Sequence, residues 1–380
     1  MRIVQMISTL TWGGAQKMLL QLVRSLHPMG VEITVVNLRH PADPTLVAEL
    51  ESAGAKVETF HFPRLFSPLS FLKLVQFIKM GNFDFIQAYL PYGNIVSAFA
   101  GFLTGTPVIG SLRTAGYNKK RYSLQRDLID TFSLKYLSKK ILANGERVAD
   151  FARKRLGSTE IDVIANAVDI YPDLSEEHRN MLRSQLVGDS RKIIILSVGR
   201  LDAPKGFPDL IQAFSAIHAD HPNTALVIVG GGRMAEVLQK QITELNLIGD
   251  AFLLGLRTDI SDLMGAADIY VNSSHWEGMA VSILEAMAAG LPVVATAVGD
   301  SPRVVSSETG ILVPPREPVQ LAASLTLLID SPAKRKKLGF AGREHIRSNY
   351  SLDAWLHKML LLYSKISPAA DKYLKKSEGV

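Results

Sequence analysis

The chain has no cysteine. That excludes disulfides, thiol nucleophiles and thiolate metal sites, and it fits a reducing compartment. Several short motifs are missing as well. There is no HExxH pair, no EF-hand loop and no clustered His/Asp set, so no metal site is visible. No GxSxG elbow marks a serine hydrolase. No GxGxxG follows the first apolar run and no acidic residue ends the second, which ranks a dehydrogenase last. Aromatic residues are 7% of the sequence. They form no aromatic–basic signature, so nucleic acid is not expected as a partner. The opening MRIVQMISTL carries one Arg and a Gln within its apolar run. It reads as a first β-strand and not as a signal peptide.

What is present describes a folded protein of two or three domains: 380 residues, 47% hydrophobic and 21% charged. From Phe85 to Leu112 no residue is charged, long enough for a membrane span. Pro91, Asn94, Pro107 and four glycines interrupt that run. It is read as a buried helix over 92–103 and a buried strand over 107–110. The net charge of +6 is uneven. Residues 64–140 hold 11 Lys and Arg against 3 Asp and Glu. Such a run is either a solvated face or a contact for an anionic surface, such as acidic lipid or a diphosphate.

Short β-branched runs alternate with longer helical patterns. One series of strands falls at 2–7, 32–38, 56–60, 84–89, 107–112 and 140–144, and a second at 192–199, 224–231, 251–255, 268–272, 292–296 and 310–314. Alternation of this kind implies parallel sheets with helices on both faces. We therefore expect two doubly wound Rossmann-like α/β domains, over 1–168 and 169–350, with a linker near 167–175. Two further helical patterns, 331–348 and 352–366, have no strand between them. The last is expected to pack back on the first domain, and 367–380 to fray. Ligands in such folds bind at the carboxyl ends of strands, here in a cleft between the domains. His218 and His221, at a helix end, are read as facing solvent.

Three stretches carry candidate chemistry. TWGGAQ (11–16) joins the first strand to a helix. Gly13 and Gly14 allow close approach of a ligand, but alone they mark no more than a tight turn. VGRLDAPKGF (198–207) places Arg200 and Lys205 around one loop, a fork and a point charge suited to a diphosphate. HWEGMAVSILEAMAAGLPVV (275–294) sets Glu277 just ahead of a helix and Glu285 about a turn and a half inside it. The N–H groups from Gly278, Met279, Ala280 and Val281 onward belong to the helix start and favour an anion. A carboxylate among apolar neighbours, as at Glu285, calls for a fixed cation or a hydroxyl-bearing ligand.

Taken together and in order, GGAQ, GRLDAPKG, the GG at 230–231 and the E-x7-E block resemble the retaining glycosyltransferases of family 4, which have the GT-B fold. The wording of the E-x7-E block looks most like bacterial enzymes of surface-polysaccharide or lipid-linked oligosaccharide synthesis. The resemblance implies that Arg200 and Lys205 hold the donor diphosphate. It implies that Glu285 binds ribose hydroxyls, and that Glu277, beside the N–H groups of Gly278, Met279 and Ala280, binds the transferred sugar. Leu256 and Arg257 would lie near the base, and Gly13 and Gly14 would let the first domain close on the donor. No divalent metal and no cofactor beyond the nucleotide sugar are implied. Three departures stand out. Arg113, in SLRT, occupies a place where relatives have His; it can bind phosphate or hydroxyl but cannot act as a general base. Arg303 stands where relatives have Glu. The linker reads NAVD where relatives have NGVD.

The expected activity is transfer of a sugar from a UDP- or GDP-type donor to an acceptor hydroxyl with retention. Glu277, Arg200, Lys205 and Arg113 are the residues expected nearest the reaction. The acceptor would be a glycan or lipid-linked, and the setting cytoplasmic, peripheral to an anionic membrane through 64–140. The alternatives are a nucleotide-sugar epimerase of similar architecture and a non-catalytic sugar-nucleotide-binding protein.

Overall fold

The structure, a computed structural model, describes residues 1–39, 41–65, 67–113, 124–170 and 172–377. The chain forms two compact units, Met1–Asn166 with Asp353–Val380, and Ala167–Leu352. The strands of the first are β1 (Arg2–Ile7), β2 (Glu32–Asn37), β3 (Lys56–Thr59), β4 (Phe85–Tyr89), β5 (Val108–Leu112), β6 (Lys140–Ala143) and β7 (Asp162–Val163). Those of the second are β8 (Ile193–Val198), β9 (Thr224–Val229), β10 (Ala251–Leu253), β11 (Ile269–Asn272), β12 (Val293–Thr296) and β13 (Gly310–Val313). The first unit contains helices α1 (Gly14–Leu26), α2 (Pro44–Ser52), α3 (Pro68–Gly81), α4 (Leu90–Thr104), α5 (Leu124–Phe132) and α6 (Glu146–Leu156). The second contains α7 (Glu176–Val187), α8 (Phe207–His218), α9 (Ala235–Glu244), α10 (Ile260–Ala266), α11 (Val281–Ala288), α12 (Ser301–Val304), α13 (Pro318–Ile329) and α14 (Pro332–Asn349). Helices α15 (Leu352–Ser364) and α16 (Asp371–Ser377) end the described chain.

Both sheets are parallel. Their orders are β3-β2-β1-β4-β5-β6-β7 and β10-β9-β8-β11-β12-β13. In the first, the steps from β1 to β3 run one way and those from β3 to β7 the other. Right-handed crossovers then set α1 and α2 on one face and α3 to α6 on the opposite face. β4 and β5 are buried along their whole length, which explains their lack of charge. The uncharged run is therefore β4, α4 and β5. Among the described residues no helix is long and apolar enough to cross a membrane.

The twelve expected strands are all present. A thirteenth, β7, was missed because two residues are too short to show a period. Gln5, which interrupts the apolar β1, pairs in register with Gln87 of β4; the Tyr363 hydroxyl of α15 donates to Gln87 Oε1.

Two expectations are corrected. The segment expected to fray contains α16, with Tyr373 only 2% exposed. The Tyr373 hydroxyl accepts from the Met1 ammonium at 3.0 Å and donates to the Gly30 carbonyl at 3.1 Å, contacts between chain ends that local composition cannot announce. Residues 378–380 of that segment lie outside the described residues. His218 does not face solvent: it packs on Phe214 and lies 3.1 Å from Asp250.

Candidate functional site

A doubly wound sheet binds ligands where neighbouring strands send their connections in opposite directions. In the second unit that place lies between β8 and β11, which lead to β9 and β12 on opposite sides. The loops carrying Arg200, Lys205 and Glu277 both emerge there.

After β8 the chain passes Gly199–Asp202 into a 3-10 turn, Ala203–Lys205. Buried Leu201 anchors this loop. Its N–H donates to the Gly231 carbonyl and its carbonyl accepts from the Met234 N–H, each at 2.9 Å. With Leu201 turned inward, Arg200 projects outward, its side chain 60% exposed and 3.4 Å from Asp202. Asp202 also lies 3.3 Å from Arg233 Nε, so one carboxylate spaces two guanidinium groups. Gly206 ends the turn at φ 63°, where a Cβ would stand 2.1 Å from the Ser273 carbonyl oxygen. Only glycine lets the two loops close to this distance. Ser273 Oγ donates to the Lys205 carbonyl at 2.9 Å, and the His275 N–H donates to the Pro204 carbonyl at 2.7 Å. His275 Nε2 lies 2.8 Å from Asp209 at the start of α8.

Glu277 pairs with the Lys205 ammonium and accepts from Ser274 Oγ at 2.8 Å. Thr296 at the end of β12 donates to the Ser274 carbonyl. The next carbonyl, of Gly278, accepts from the Asp300 N–H at 2.8 Å. Thus Met279 and Ala280 lead into α11, which starts at Val281 without a side-chain cap. Its partial positive end is aimed by the same loop that holds Glu277. Glu285, the fifth residue of α11, is 5% exposed. The buried Tyr270 hydroxyl bonds to Ser282 and senses the carboxylates of Glu285 and Glu277; burial foremost holds this phenol well above its ordinary value. Arg303 lies 3.6 Å from the buried Asp300 carboxylate.

Leu256 and Arg257 follow β10. Leu256 is largely exposed and faces Gly231, beside the loop that Leu201 anchors. Arg257 grips Asp259 with both ends of its guanidinium, at 2.8 and 2.5 Å. Its fork is thus already engaged.

Gly13, Gly14 and Arg113 belong to the first unit. Gly13 precedes α1 in extended backbone, and the loop before it is braced by Gln16 Nε2 donating to the Thr9 carbonyl at 2.9 Å. Arg113 follows β5. Its Nη1 donates to Asn166 Oδ1 at 3.1 Å, and its guanidinium lies 5.0 Å from the Tyr89 ring centre.

Comparison with known proteins identifies the family. A family model described as "Glycosyltransferase Family 4" matches residues 12–171, and one described as "Glycosyl transferases group 1" matches 179–345. The chain belongs to glycosyltransferase family 4. A GDP-mannose-dependent monoacylated alpha-(1-6)-phosphatidylinositol monomannoside mannosyltransferase of Corynebacterium glutamicum is 30% identical over 50% of this chain and 52% of its own. The phosphatidyl-myo-inositol mannosyltransferase of Mycobacterium leprae is 26% identical over 95% of each chain. The chain spans about half the length of the first curated relatives it matches. Anabaena HepE, solved with UDP-glucose, has a TM-score of 0.86 and 24% identity, over 96% of this chain and 99% of its own. That likeness establishes the GT-B fold.

For this family 4 chain the structure adds residues that sequence reasoning missed: Asp202, Arg233, Tyr270, Ser274, Ser282 and Thr296. Ser274 could have been found, since a hydroxyl beside a loop carboxylate is a local hydrogen-bond signal. Tyr270 could not, because an aromatic inside an apolar strand reads as core.

Proposed function

We propose that the protein transfers a sugar from a nucleoside diphosphate sugar to an acceptor hydroxyl, with retention at the anomeric carbon. The observation that carries this reading is the convergence of Arg200, Lys205, Glu277 and Glu285 at the switch point between β8 and β11. The diphosphate would take the Lys205 ammonium and the Arg200 fork, with the start of α11 adding positive potential. Released from Lys205, the Glu277 carboxylate would accept hydrogen bonds from sugar hydroxyls. Glu285 would receive the ribose hydroxyls, and Leu256 would face the base. As the glycosidic C–O bond breaks, negative charge grows on the leaving diphosphate, and the fixed cations stabilise it. The acceptor oxygen attacks from that same face and yields its proton to the departing phosphate, so no protein nucleophile and no cofactor is assigned. Similarity to a GDP-mannose-dependent phosphatidylinositol monomannoside mannosyltransferase and to a UDP-Gal:alpha-D-GlcNAc-diphosphoundecaprenol alpha-1,3-galactosyltransferase supports UDP or GDP as the nucleotide and a lipid-linked glycan as acceptor.

A panel of UDP-, GDP-, ADP- and dTDP-sugars, with and without lipid-linked acceptors, tests this. Acceptor-dependent release of nucleoside diphosphate and an unchanged anomeric configuration by NMR are expected, insensitive to EDTA. Donor turnover without any acceptor would favour the epimerase, and binding without turnover the non-catalytic protein.

The acceptor is reached, in this reading, at an anionic bilayer on the cytoplasmic side. Helices α3, α4 and α5 lie side by side on one face of the first sheet, α4 packed against both neighbours. These helices expose Leu69, Leu72, Met80, Phe102 and Leu128, the turn after α5 exposes Tyr136, and α3 contains no acidic residue. Lys73, Lys79, Lys135 and Lys139 of the same stretch are exposed, Lys135 lying 5.4 Å from the Tyr136 ring centre. Apolar side chains that insert and lysines that meet headgroups fit an acidic lipid surface. Lys119, Lys120 and Arg121 of the basic run lie outside the described residues. Phosphatidylglycerol vesicles should sediment the protein and phosphatidylcholine vesicles should not; equal behaviour removes this part of the proposal.

A further inference from the structure

Among the described residues, several cations held back from solvent meet carboxylates. Arg155 meets Asp130 at 2.8 Å, Arg183 meets Asp268 at 2.9 Å, and Lys205 meets Glu277. Arg113 meets none. Its Nη1 donates to the neutral amide of Asn166, and among the described residues no acceptor meets its enclosed Nε. The groups that act on it electrostatically are the phenols of Tyr89 and Tyr363, both pushed above their ordinary values by burial and therefore uncharged. Burial also lowers the Arg113 guanidinium from its ordinary value. The following stretch, TAGYNKKRYS at 114–123, contains no Asp or Glu and three further cations, so its composition cannot supply the counter-charge.

A guanidinium taken out of water without an opposite charge is a standing cost to the fold. Such a cost persists where it serves a ligand, and stability is given up at binding sites for that reason. The position agrees. Arg113 directly follows β5, two places from the switch point between β1 and β4, on the carboxyl edge where doubly wound sheets receive ligands. It remains part-exposed there. Leu90, directly after β4 and next to Tyr89, is held at φ 68°, a conformation unusual for leucine and common at ligand sites.

We propose that Arg113 is an anion receptor: it binds a phosphate or carboxylate group carried by a sugar substrate of this protein. The guanidinium fork suits either group, whereas an imidazole at this position would not discriminate a charged substrate so strongly. The inference rests on the transferase reading for calling the ligand a substrate, but the anion site itself stands apart from it.

Thermal unfolding of the whole protein tests the proposal. Wild type, Arg113→Met and Arg113→Lys are melted alone, then with inorganic phosphate, with glucuronate, and with glucose as the neutral control. Each series is repeated with UDP or GDP in excess, to fill any site at Arg200 and Lys205. Without anion, Arg113→Met should melt at or above the wild-type temperature, since it removes an uncompensated charge. With nucleotide in excess, phosphate or glucuronate should still raise the wild-type midpoint by a few degrees and leave Arg113→Met unmoved, with Arg113→Lys between them. The anion with the larger shift identifies the substrate group. A lowered midpoint for Arg113→Met with anion shifts equal to wild type would overturn the proposal and make Arg113 a structural residue. So would a wild type that responds to neither anion. If UDP and GDP move no midpoint, the transferase reading fails while the Arg113 comparison still reads out.

Discussion

Lys205 and Glu277, 72 positions apart, form an ion pair that ties the turn after β8 to the loop after β11. Both side chains are mostly buried, and Ser274 completes the shell of the carboxylate. The pair keeps two charges compensated at a place where a diphosphate and a sugar would otherwise claim one each. Removing one partner strands the other. Lys205→Met should cost about 2 kcal/mol of stability. Nucleotide-sugar affinity should fall about 100-fold by calorimetry, a loss of about 2.7 kcal/mol. Glu277→Gln keeps the shape and should lower kcat more than affinity. A Lys205→Met protein that binds donor normally would remove Lys205 from the site.

Glu285 is buried within α11 beside Tyr270 and Ser282. If it receives ribose hydroxyls, Glu285→Ala removes charge-assisted hydrogen bonds worth about 1.5–3 kcal/mol. Donor affinity should then fall about 10- to 100-fold. Calorimetry with the donor nucleotide checks this, and an unchanged affinity would reassign the residue to the core.

Gly206→Ala would force a Cβ against the Ser273 carbonyl in a backbone conformation that side chains rarely adopt. The loops cannot both keep their places, so a loss of about 2–3 kcal/mol is expected in urea unfolding. Donor binding should weaken as well, although Gly206 itself offers a ligand no side chain. Gly30→Ala is a useful contrast: it is also at positive φ, but its Cβ meets open space, and it should leave donor binding intact.

Tyr89, Tyr270 and Tyr363 are phenols raised above the ordinary value of 10 by burial, Tyr89 to about 12. A raised phenol keeps its proton in the fold where the unfolded chain has lost it. The stability this represents is complete below pH 10 and is lost as pH rises through 10 toward 12. The loss is up to about 1.4 kcal/mol per pH unit for each phenol. Urea midpoints should be flat from neutral pH to about 9.5 and drop steeply above it. Tyr89→Phe should soften the drop.

Tyr373 packs the end of the chain against its beginning. Tyr373→Ala should destabilise the first unit by about 3 kcal/mol, the usual cost of deleting a large buried side chain. Limited proteolysis should then cut first after residue 364. Donor binding by the second unit should be unaffected.

The twelve main strands and the E-x7-E helix were legible because each is long enough to show its own period and end signals. Strand β7 is too short for that, and α16 reads as a polar tail until Tyr373 finds Gly30. Arg200, Lys205 and Glu277 were legible as candidates from residue type and their places after strands. The Lys205–Glu277 pair was not, since nothing local to either residue names the other. The same holds for Arg233, brought to Asp202 by the β9 loop crossing that of β8.

The sequence by itself determined the alternation of strands and helices, the two parallel sheets and the family. Those follow from hydrophobic period, turn residues and a long motif, all local in the chain. Tertiary structure alone decided which charges are compensated. Glu277 gains its cation from a loop 72 residues away, while Arg113 lies against two tyrosines and an amide and gains no carboxylate among the described residues. Electrostatic pairing depends on distance in space and on exclusion of water, and neither quantity is written in the order of residues.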